Sequence, residues 1–457
     1  MIARLGKVLT RVSTRVVPDP FVLALLLTLA VLGLGAWRLA AGAPPAGEPL
    51  AQGIAGTLFV GWLEGFSSKP LLAFALQMCL VLVTGHALAT SPPVQAAVGR
   101  LARWNLGAAG SAFLVGFVAC LAAVVHWGLG AIVGAFLARE IGRHAREHGR
   151  ALHYPLLGGA AYAGLAVWHG GLSGSAPLKV AEAGHFAESI AGVLPVEETL
   201  FSPLNLVVTG TLCVLIPLVF ALMTPPEEER VGPDATQLAP PEERARVAPD
   251  SVPGWLQETP AVGAVLGVAG LGVLFAAWLA GKVQLDLDLV NLLFLFLGVT
   301  LQGSLRAYVE AVAEGARGAG AIIVQFPFYF GVLGVMKASG MIGWISEGLV
   351  SVASESSFPV LAFLSAGVVT LFVPSGGGQW AVQGEILLGT GADLGVDPGV
   401  TVMAFSYGDA WTNMLQPFWA LPLLGIMGLK ARDIIGYTGV VFLLVGVLVP
   451  LLLVTLP

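Results

Sequence analysis

Apolar segments of about 20 residues recur along almost the whole 457-residue chain, and they constrain its fold more than any other feature. A helix of that length is about 30 Å long, which matches the hydrocarbon core of a bilayer. Charged residues make up 11% of the sequence, against roughly 25% in soluble domains, and the mean hydropathy is +0.85. The sequence therefore predicts an all-α polytopic membrane protein.

The membrane-embedded segments are expected near 21–40, 71–90, 111–138, 155–180, 203–223, 261–280, 288–303, 319–338, 358–392, 398–428 and 434–456. Four cationic residues recur at helical spacing within 1–20, which predicts a basic amphipathic helix on the inner membrane surface and a cytoplasmic N-terminus. Cys79, Cys120 and Cys213 fall inside apolar segments, where packed hydrophobic side chains are expected rather than disulfides or metal ligands.

The arginines that follow 111–138 conflict with a single membrane crossing there. The two preceding spans return the chain to the cytoplasm, so one more crossing would place the four arginines between residues 139 and 150 outside. That arrangement violates the positive-inside rule. A re-entrant hairpin over 111–141, which enters and leaves on the same side, keeps all four arginines inside.

A second re-entrant hairpin is expected over 358–392, where the proline and glycines of FVPSGGGQW form the turn. A constant offset of 248 residues carries Gln77 to Gln325 and Val125 to Val373. Hairpins that enter from opposite faces in two matching halves indicate an inverted-topology repeat, an architecture in which secondary transporters bind substrate near the bilayer midplane.

The expected domains follow from this repeat. They are an amphipathic helix (1–20), a first repeat (21–223), a charged, partly disordered cytoplasmic linker (224–260), a connecting transmembrane helix (261–280) and a second repeat (281–457).

Each hairpin precedes a span that glycine, serine and proline interrupt, at 167–179 and at 406–417. Interrupted helices free backbone groups that lipid cannot satisfy, so the two breaks are expected to face each other around a polar cavity. The glycines at 376–378 let the backbone approach a ligand, and Ser375 and Gln379 add donors and acceptors. Helix-end amides here favour an anion, and the freed carbonyls suit a small cation.

Asp409 is the main candidate for coupling, because a charged, unpaired carboxylate in lipid costs several kcal/mol. A structural helix cap is the alternative. Thr412 and Asn413, one turn further on, either complete an oxygen cage or make plain interhelical contacts. His126, at the first hairpin tip, either binds substrate, titrates near neutral pH or is a structural histidine.

Further candidates have structural alternatives: interhelical hydrogen bonds, aromatic packing or a solvated helix face. They are Gln77, Gln325, Trp168, Trp380, Trp411, His86, His169, Glu385, Glu64 and Glu314.

Several motifs together resemble one family. They are VPDPFVLALLLT (17–28), TGHALA (84–89), WHGGLSGSAPL (168–178), QFPFY (325–329), PSGGGQW (374–380), YGDAW (407–411) and QPFWALP (416–422). The sequence resembles the prokaryotic short-chain fatty acid transporters of the acetoacetate and butyrate permease type, within the ion transporter superfamily.

This resemblance implies a homodimer in a prokaryotic inner membrane, with a scaffold domain and a mobile transport domain that work as an elevator. It implies uptake of acetoacetate, butyrate or hydroxybutyrate with Na⁺ or H⁺, and no cofactor beyond that coupling ion. The sequence departs from the family pattern at His126, where asparagine is usual, and at His169, where glycine is usual.

The candidate residues fall into two groups. Those expected to bind substrate are Ser375, Gly376, Gly377, Gly378, Gln379, Trp380, His126, Ser173, Ser175, Gln325 and Gln77. Those expected near the coupling ion, with Na⁺ beside Asp409 and the hairpin tips as one option, are Asp409, Asn413, Thr412 and Gly128.

Other functions fit the sequence less well. GLSG (171–174) matches the pattern of rhomboid-type proteases and the Asp409 motif hints at the aspartyl type, but neither enzyme predicts two inverted hairpins. A channel does not need paired broken hairpins, and a transporter of another small organic anion on the same fold remains open. No exposed basic domain supports nucleic-acid binding.

Overall fold

The computed structural model of the protein describes residues 20–42, 53–104, 106–185, 187–238, 251–283, 287–372, 376–416 and 419–456. The α-helices in these ranges are α1 (Pro20–Ala40), α2 (Gly53–Phe66), α3 (Lys69–Ala89), α4 (Pro92–Ala102), α5 (Gly107–Val125), α6 (Trp127–Glu147), α7 (Tyr154–Tyr162), α8 (Ser175–Val180), α9 (Glu188–Ala191), α10 (Pro203–Leu222), α11 (Val252–Glu258), α12 (Pro260–Leu279), α13 (Leu287–Leu301), α14 (Leu305–Ala338), α15 (Met341–Val350), α16 (Phe358–Thr370), α17 (Gly376–Asp393), α18 (Pro398–Thr412), α19 (Leu421–Met427) and α20 (Ala431–Thr455). The prediction of an all-α polytopic membrane protein is confirmed. The amphipathic helix expected over 1–20 lies outside the described residues, apart from Pro20.

Five of the described helices are long and apolar enough to cross a bilayer. They are α5, α10, α12, α20 and the Leu71–Ala89 part of α3. The two halves of α14, Leu305–Gly320 and Ile323–Ala338, meet at a bend of 42° and make a sixth span if they are counted as one.

Both predicted helical hairpins are present. Helices α5 and α6 pack against each other and are joined by a single residue, His126. The helices approach so closely that a Cβ atom built on Gly130 would lie 2.6 Å from the Ala123 Cβ, which explains the glycine in α6. Helices α16 and α17 form the second hairpin, and residues 373–375 at its turn, including Ser375, lie outside the described residues.

The order of elements repeats with the predicted offset. Adding 248 carries α4 (92–102) onto 340–350, where α15 lies, and carries α6 onto 375–395, where α17 lies. The packing is also reciprocal, because α6 of the first repeat contacts α19 of the second, and α17 of the second contacts α8 of the first. Sequence reasoning missed the short helices α4 and α15.

A single apolar core joins the hairpins and the interrupted helices of both repeats. Phe363, Trp380 and Phe405 are fully buried in it, and so is Cys120. Separate apolar clusters join α1, α2 and α3 to α14. One of these clusters also includes Met341 and Ile342 of α15 and Val369 of α16. The three cysteines are free and buried.

The linker expected over 224–260 is partly ordered. The backbone N–H of Tyr154 donates to the carbonyl oxygen of Val231 at 2.8 Å, and the Arg146 guanidinium donates to the Pro233 carbonyl at 2.8 Å. The Gln237 amide donates to the Gly428 carbonyl at 2.9 Å. These contacts attach residues 225–238 to both repeats. Residues 239–250 lie outside the described part.

Candidate functional site

The two interrupted helices face each other, as the freed backbone groups predicted. The first break follows α7 as two short 3₁₀ turns, Ala163–Ala166 and Trp168–Gly170, and the second follows α18 as the turn Asn413–Leu415. The Tyr162 hydroxyl, at the end of α7, lies 2.9 Å from the Asn413 carbonyl oxygen and 2.8 Å from that of Gln416. One repeat thus supplies a hydrogen-bond donor to two backbone carbonyls at the break in the other repeat, where the Asn413 carbonyl also accepts from the Gln416 N–H.

His169 and Asp409 connect the two breaks. The His169 Nδ1 atom lies 2.8 Å from the Asp409 Oδ2 atom, and both residues are at most 1% exposed. The backbone N–H of Ala176 points at the His169 Nε2 atom at 3.1 Å, so Nε2 accepts and the proton of the neutral ring is on Nδ1. His169 therefore donates an N–H to Asp409. Sequence reasoning gave this histidine little weight.

The other Asp409 oxygen faces the second hairpin. The Thr370 Oγ1 atom lies 3.2 Å from Asp409 Oδ1 and 2.8 Å from the Gln379 side-chain oxygen. The Gln379 amide nitrogen donates to Gln383 at 2.7 Å, and Gln383 donates to the Ser365 hydroxyl at 3.1 Å. These five residues form a buried polar network across α16, α17 and α18. Thr370, Gln383 and Ser365 were not among the sequence candidates; the pair of glutamines four residues apart was the available signal.

The first break lies between the two hairpin tips. On one side, the Leu172 N–H donates to the Val124 carbonyl at 2.7 Å, and the Trp127 N–H donates to the Ser173 hydroxyl at 3.1 Å. On the other side, a Cβ atom built on Gly376 would lie 2.9 Å from the Ser175 Oγ atom. Ser173 and Ser175, which were expected to bind substrate, thus lie against the hairpin tips, and the Ser175 hydroxyl is also 3.2 Å from His169 Nε2.

His126 caps α6 and has one unused donor. Its Nδ1 atom accepts from the Gly128 N–H at 3.1 Å, so the proton of the neutral ring is on Nε2. That Nε2 atom is buried and has no hydrogen-bond partner among the described residues. The ring lies against Trp127 and Phe294, with centroid distances of 5.8 and 6.3 Å. A buried N–H donor without an acceptor at a hairpin tip is a feature that a ligand can satisfy.

Several oxygens around the second break are also buried without a partner in the described part of the chain. They are Thr412 Oγ1, Asn413 Oδ1 and Gln416 Oε1, together with Gln325 Oε1 on α14. None of these atoms contacts the Asp409 carboxylate in the described hydrogen-bond network, where the neighbours are an imidazole N–H and a hydroxyl. The oxygen cage expected around Asp409 stays a prediction.

The remaining candidates lie outside this network. Gln77 donates to Asp288 on α13 at 2.7 Å, so it joins two helices outside the hairpins. The Trp411 indole N–H donates to the Phe442 carbonyl at 2.7 Å and its ring stacks on Phe363, an arrangement of packing.

Two tryptophans remain beside the network: Trp168 stacks on His169 with centroids 4.3 Å apart, and Trp380 packs on Phe405. The acidic candidates Glu64 and Glu385 are exposed, and Glu314 lies 3.6 Å from the His86 Nε2 atom.

A second polar cluster surrounds Asn205 on α10. Its amide donates to the carbonyls of Gly170 and Leu200 at 2.8 and 2.7 Å, while its oxygen accepts from Thr209 and Tyr407 at 2.8 and 3.0 Å. Asn205 thus uses both amide protons and accepts two hydrogen bonds, and it fixes the first break against α18. Sequence reasoning missed it, because a single asparagine in an apolar helix gives no pattern.

These features define a class of protein. Two helical hairpins and two interrupted helices, repeated in order and meeting at a buried polar network, form the architecture of secondary transporters.

Comparison with known proteins identifies the family. A family described as short chain fatty acid transporter matches residues 1–456. A protein of Escherichia coli (strain K12) named for short-chain fatty acid transport is 37% identical over 450 residues, which cover 98% of each chain. A protein of the same name from Haemophilus influenzae is 36% identical over 446 residues, 96% of each chain.

The chain therefore belongs to the short-chain fatty acid transporter family, a family of transporters and not of enzymes. This confirms the resemblance that the motifs indicated. Among solved structures it is similar to the Alcanivorax borkumensis YdaH transporter, with 16% identity, a TM-score of 0.46 and coverage of 95% of this chain and 98% of that one.

Proposed function

We propose that the protein takes up short-chain monocarboxylates, such as acetoacetate, butyrate and hydroxybutyrate, by symport with Na⁺ or H⁺ across the cytoplasmic membrane of a prokaryote. The observation that carries this proposal is the position of the first break. Residues 168–176 touch both hairpin tips and the Asp409 carboxyl of the second break. A substrate bound there therefore lies beside both hairpins and both interrupted helices.

The substrate carboxylate is bound by donors at the two hairpin tips. The buried Nε2–H of His126 supplies one donor, and the first-turn amides of α17, at Gly376 and Gly377, supply a helix N-terminus that favours negative charge. Ser375 and Gln379 flank this helix start in the sequence. The short acyl chain is held against aromatic surface, for which Trp168 is suited because its ring is only partly buried.

Coupling follows from the cost of burying charge. An anion moved through lipid costs several kcal/mol unless a cation or proton travels with it. Asp409, which is 1% exposed and next to the first break, is the acidic group positioned to share that task. The loaded site is then close to neutral and can move, whereas the site with substrate alone cannot.

The movement is proposed to be of the elevator type in a homodimer. The hairpins and interrupted helices share one apolar core, and α1, α2 and α3 pack with α14 in separate clusters. Such a division suits a transport domain that slides against a scaffold. The N-terminus is expected in the cytoplasm.

Uptake of radiolabelled butyrate into proteoliposomes, with a Na⁺ gradient or a pH gradient imposed separately, tests the proposed function. We expect accumulation under one gradient, inhibited by unlabelled acetoacetate. If butyrate, acetoacetate and acetate all fail to accumulate and to exchange, the substrate assignment is wrong and the fold serves another anion.

The role of His126 is tested by a matched pair of variants. His126→Ala removes the proposed donor and is expected to raise the KM for butyrate about tenfold, the effect of losing one charge-assisted hydrogen bond of roughly 1.4 kcal/mol. His148→Ala removes an exposed histidine at the far end of α6 and is expected to leave the KM unchanged. An equal response of the two variants would exclude His126 from the substrate site.

A further inference from the structure

If the Asp409 carboxyl group is ionised, there are more hydrogen-bond acceptors around it than protons to donate to them. The Thr370 hydroxyl has one proton, but its oxygen lies within hydrogen-bonding distance of three acceptors: the Ala366 carbonyl (2.8 Å), the Gln379 side-chain oxygen (2.8 Å) and Asp409 Oδ1 (3.2 Å). A hydroxyl surrounded by three acceptors leaves two of them facing a lone pair, unless one of them carries a proton of its own.

The orientation of Gln379 is fixed, so it cannot remove the conflict. Its amide nitrogen donates to the Ala366 carbonyl at 2.8 Å. Exchanging the amide oxygen and nitrogen would set two carbonyl oxygens 2.8 Å apart, with no proton between them. The Gln379 oxygen therefore faces Thr370 and accepts the hydrogen bond from its hydroxyl group. The Ala366 carbonyl already accepts a hydrogen bond from the Gln379 amide. Asp409 Oδ1 is then left beside the Thr370 lone pairs.

His169 does not carry the missing proton. Its Nδ1–H already points at Asp409 Oδ2, and its Nε2 atom accepts from the Ala176 N–H at 3.1 Å. In a doubly protonated imidazolium the Nε2 atom would also carry a proton, and that proton would point at the Ala176 N–H. His169 is thus neutral and leaves Asp409 without a cationic partner.

No other titratable group faces Asp409 among the described residues of the elements packed on α18. From α16 and α17 it meets Thr370 and Gln379, and α8 contributes Ser175 beside His169. The 3₁₀ turn Ala163–Ala166 has no ionisable side chain, and on α20 the Tyr437 hydroxyl is engaged with His153.

We propose that Asp409 is protonated in this conformation, that its Oδ1–H donates to Thr370 Oγ1, and that the coupling ion of this transporter is therefore H⁺. With that proton every donor in the network has an acceptor: Asp409 donates to Thr370, Thr370 to Gln379, and Gln379 to Ala366 and Gln383. The buried carboxyl group is then neutral, which removes the cost of an unpaired charge. This inference rests on the proposed function, because it names the coupling ion of that same site.

Loss of the proton is transmitted to the substrate side of the second hairpin. An ionised Asp409 accepts a hydrogen bond from the Thr370 hydroxyl, which turns away from Gln379, and the Gln379 oxygen then loses its donor. Gln379 lies in the first turn of α17, three residues after Gly376, which packs on the first break. Release of H⁺ to water on one side of the membrane therefore weakens the contact that holds the hairpin tip over the site. No bond other than the O–H of Asp409 breaks in this step.

Asp409→Asn tests the inference, because the amide reproduces the protonated group: its N–H₂ donates to Thr370 and its oxygen accepts from His169. We expect the variant to retain butyrate counterflow, which needs no net ion movement, and to lose accumulation driven by a pH gradient. Asp393→Asn, an acid-to-amide change at an exposed position on α17, is expected to behave as wild type in both assays.

Infrared difference spectroscopy gives a readout that does not depend on transport. Wild-type protein should show the carbonyl band of a protonated carboxylic acid that is absent in Asp409→Asn and shifted in Thr370→Val, which lacks the acceptor hydroxyl. An ionised Asp409 would give no such band.

The outcomes separate this inference from the proposed function. Wild-type accumulation under a Na⁺ gradient but not under a pH gradient overturns the inference, as does pH-driven accumulation by Asp409→Asn or absence of the band. If wild type exchanges no monocarboxylate, the proposed function fails, and the infrared band still decides whether Asp409 holds the proton.

Discussion

Replacement of Gly376 by alanine tests the contact between the second hairpin and the first break. The added Cβ would lie 2.9 Å from His169 Cε1, 2.9 Å from Ser175 Oγ and 3.1 Å from Trp168 Cη2. Because three side chains meet the methyl group at once, no single rotation relieves the contact. Overpacking of this kind costs about 1–3 kcal/mol.

The neighbouring glycine gives a matched control. A Cβ on Gly377 would lie 3.6 Å from the Ser175 Cβ, an ordinary van der Waals distance, and this residue is exposed. Both variants gain the same helix propensity, so their difference isolates the contact. If Gly376→Ala disfavours the closed hairpin by about 2 kcal/mol, the ratio of closed to open states falls roughly thirtyfold.

Butyrate counterflow into proteoliposomes measures this effect. We expect Gly376→Ala to lower the maximal exchange rate at least severalfold and to unfold at a lower temperature in detergent, whereas Gly377→Ala stays close to wild type. If the two variants behave alike, in either direction, the hairpin tip does not pack on the first break during transport, and the position proposed for the substrate site is wrong.

Three further predictions concern contacts outside the hairpin tip. Tyr162→Phe removes the donor to the Asn413 and Gln416 carbonyls and should lower the free energy of unfolding by about 1–3 kcal/mol, measured by denaturation in mixed micelles; no change would mean that water replaces the hydroxyl. Asn205→Leu keeps the branched shape of the side chain but removes four hydrogen bonds, so we expect a loss of about 3 kcal/mol or more in the same denaturation assay; unchanged stability would contradict the role given to this amide. His153, in the loop before α7, has its pKa lowered from 6.5 to about 4, first by burial and then by Arg230. Because the unfolded chain binds the proton more readily, stability is complete above about pH 6.5 and falls by about 3 kcal/mol as the pH drops to about 4. Thermal unfolding of wild type and His153→Gln across this range measures the effect, and an equally steep loss in the variant would assign it to another group.

The hairpins and the breaks could be predicted because each leaves a signal in the sequence. The arginines between residues 139 and 150 predict that the chain turns back, and glycine, serine and proline in an apolar segment indicate an interrupted helix. Helices α4 and α15 were missed, since segments of 11 and 10 residues are too short to register as spans.

The partners within the site could not be predicted in the same way. His169 and Asp409 are 240 residues apart, and nothing in either motif says which positions of two breaks face each other. Thr370 is hidden for a different reason. A threonine in an apolar helix usually bonds to the carbonyl four residues earlier, and Thr370 does contact Ala366, so its second role in the network leaves no separate trace.

The carboxyl group proposed for coupling has no counterpart in the first repeat. With the offset of 248 residues, Asp409, Thr370, Gln379 and Gln383 correspond to Ala161, Ala122, Ala131 and Ala135 of the first repeat. These four side chains thus each have an alanine as their counterpart, and Ala131, Ala135 and Ala161 are buried.

The two hairpins therefore differ in the roles proposed for them. The first hairpin packs α5 on α6 through small residues and offers a single donor at its tip, the Nε2–H of His126. The second hairpin carries the polar side chains that connect to Asp409, the residue proposed to hold the proton. Placing aspartate at Ala161 would therefore bury a carboxyl group with no hydroxyl or amide counterpart to receive its proton. We expect Ala161→Asp to destabilise the fold by several kcal/mol rather than to create a second coupling site.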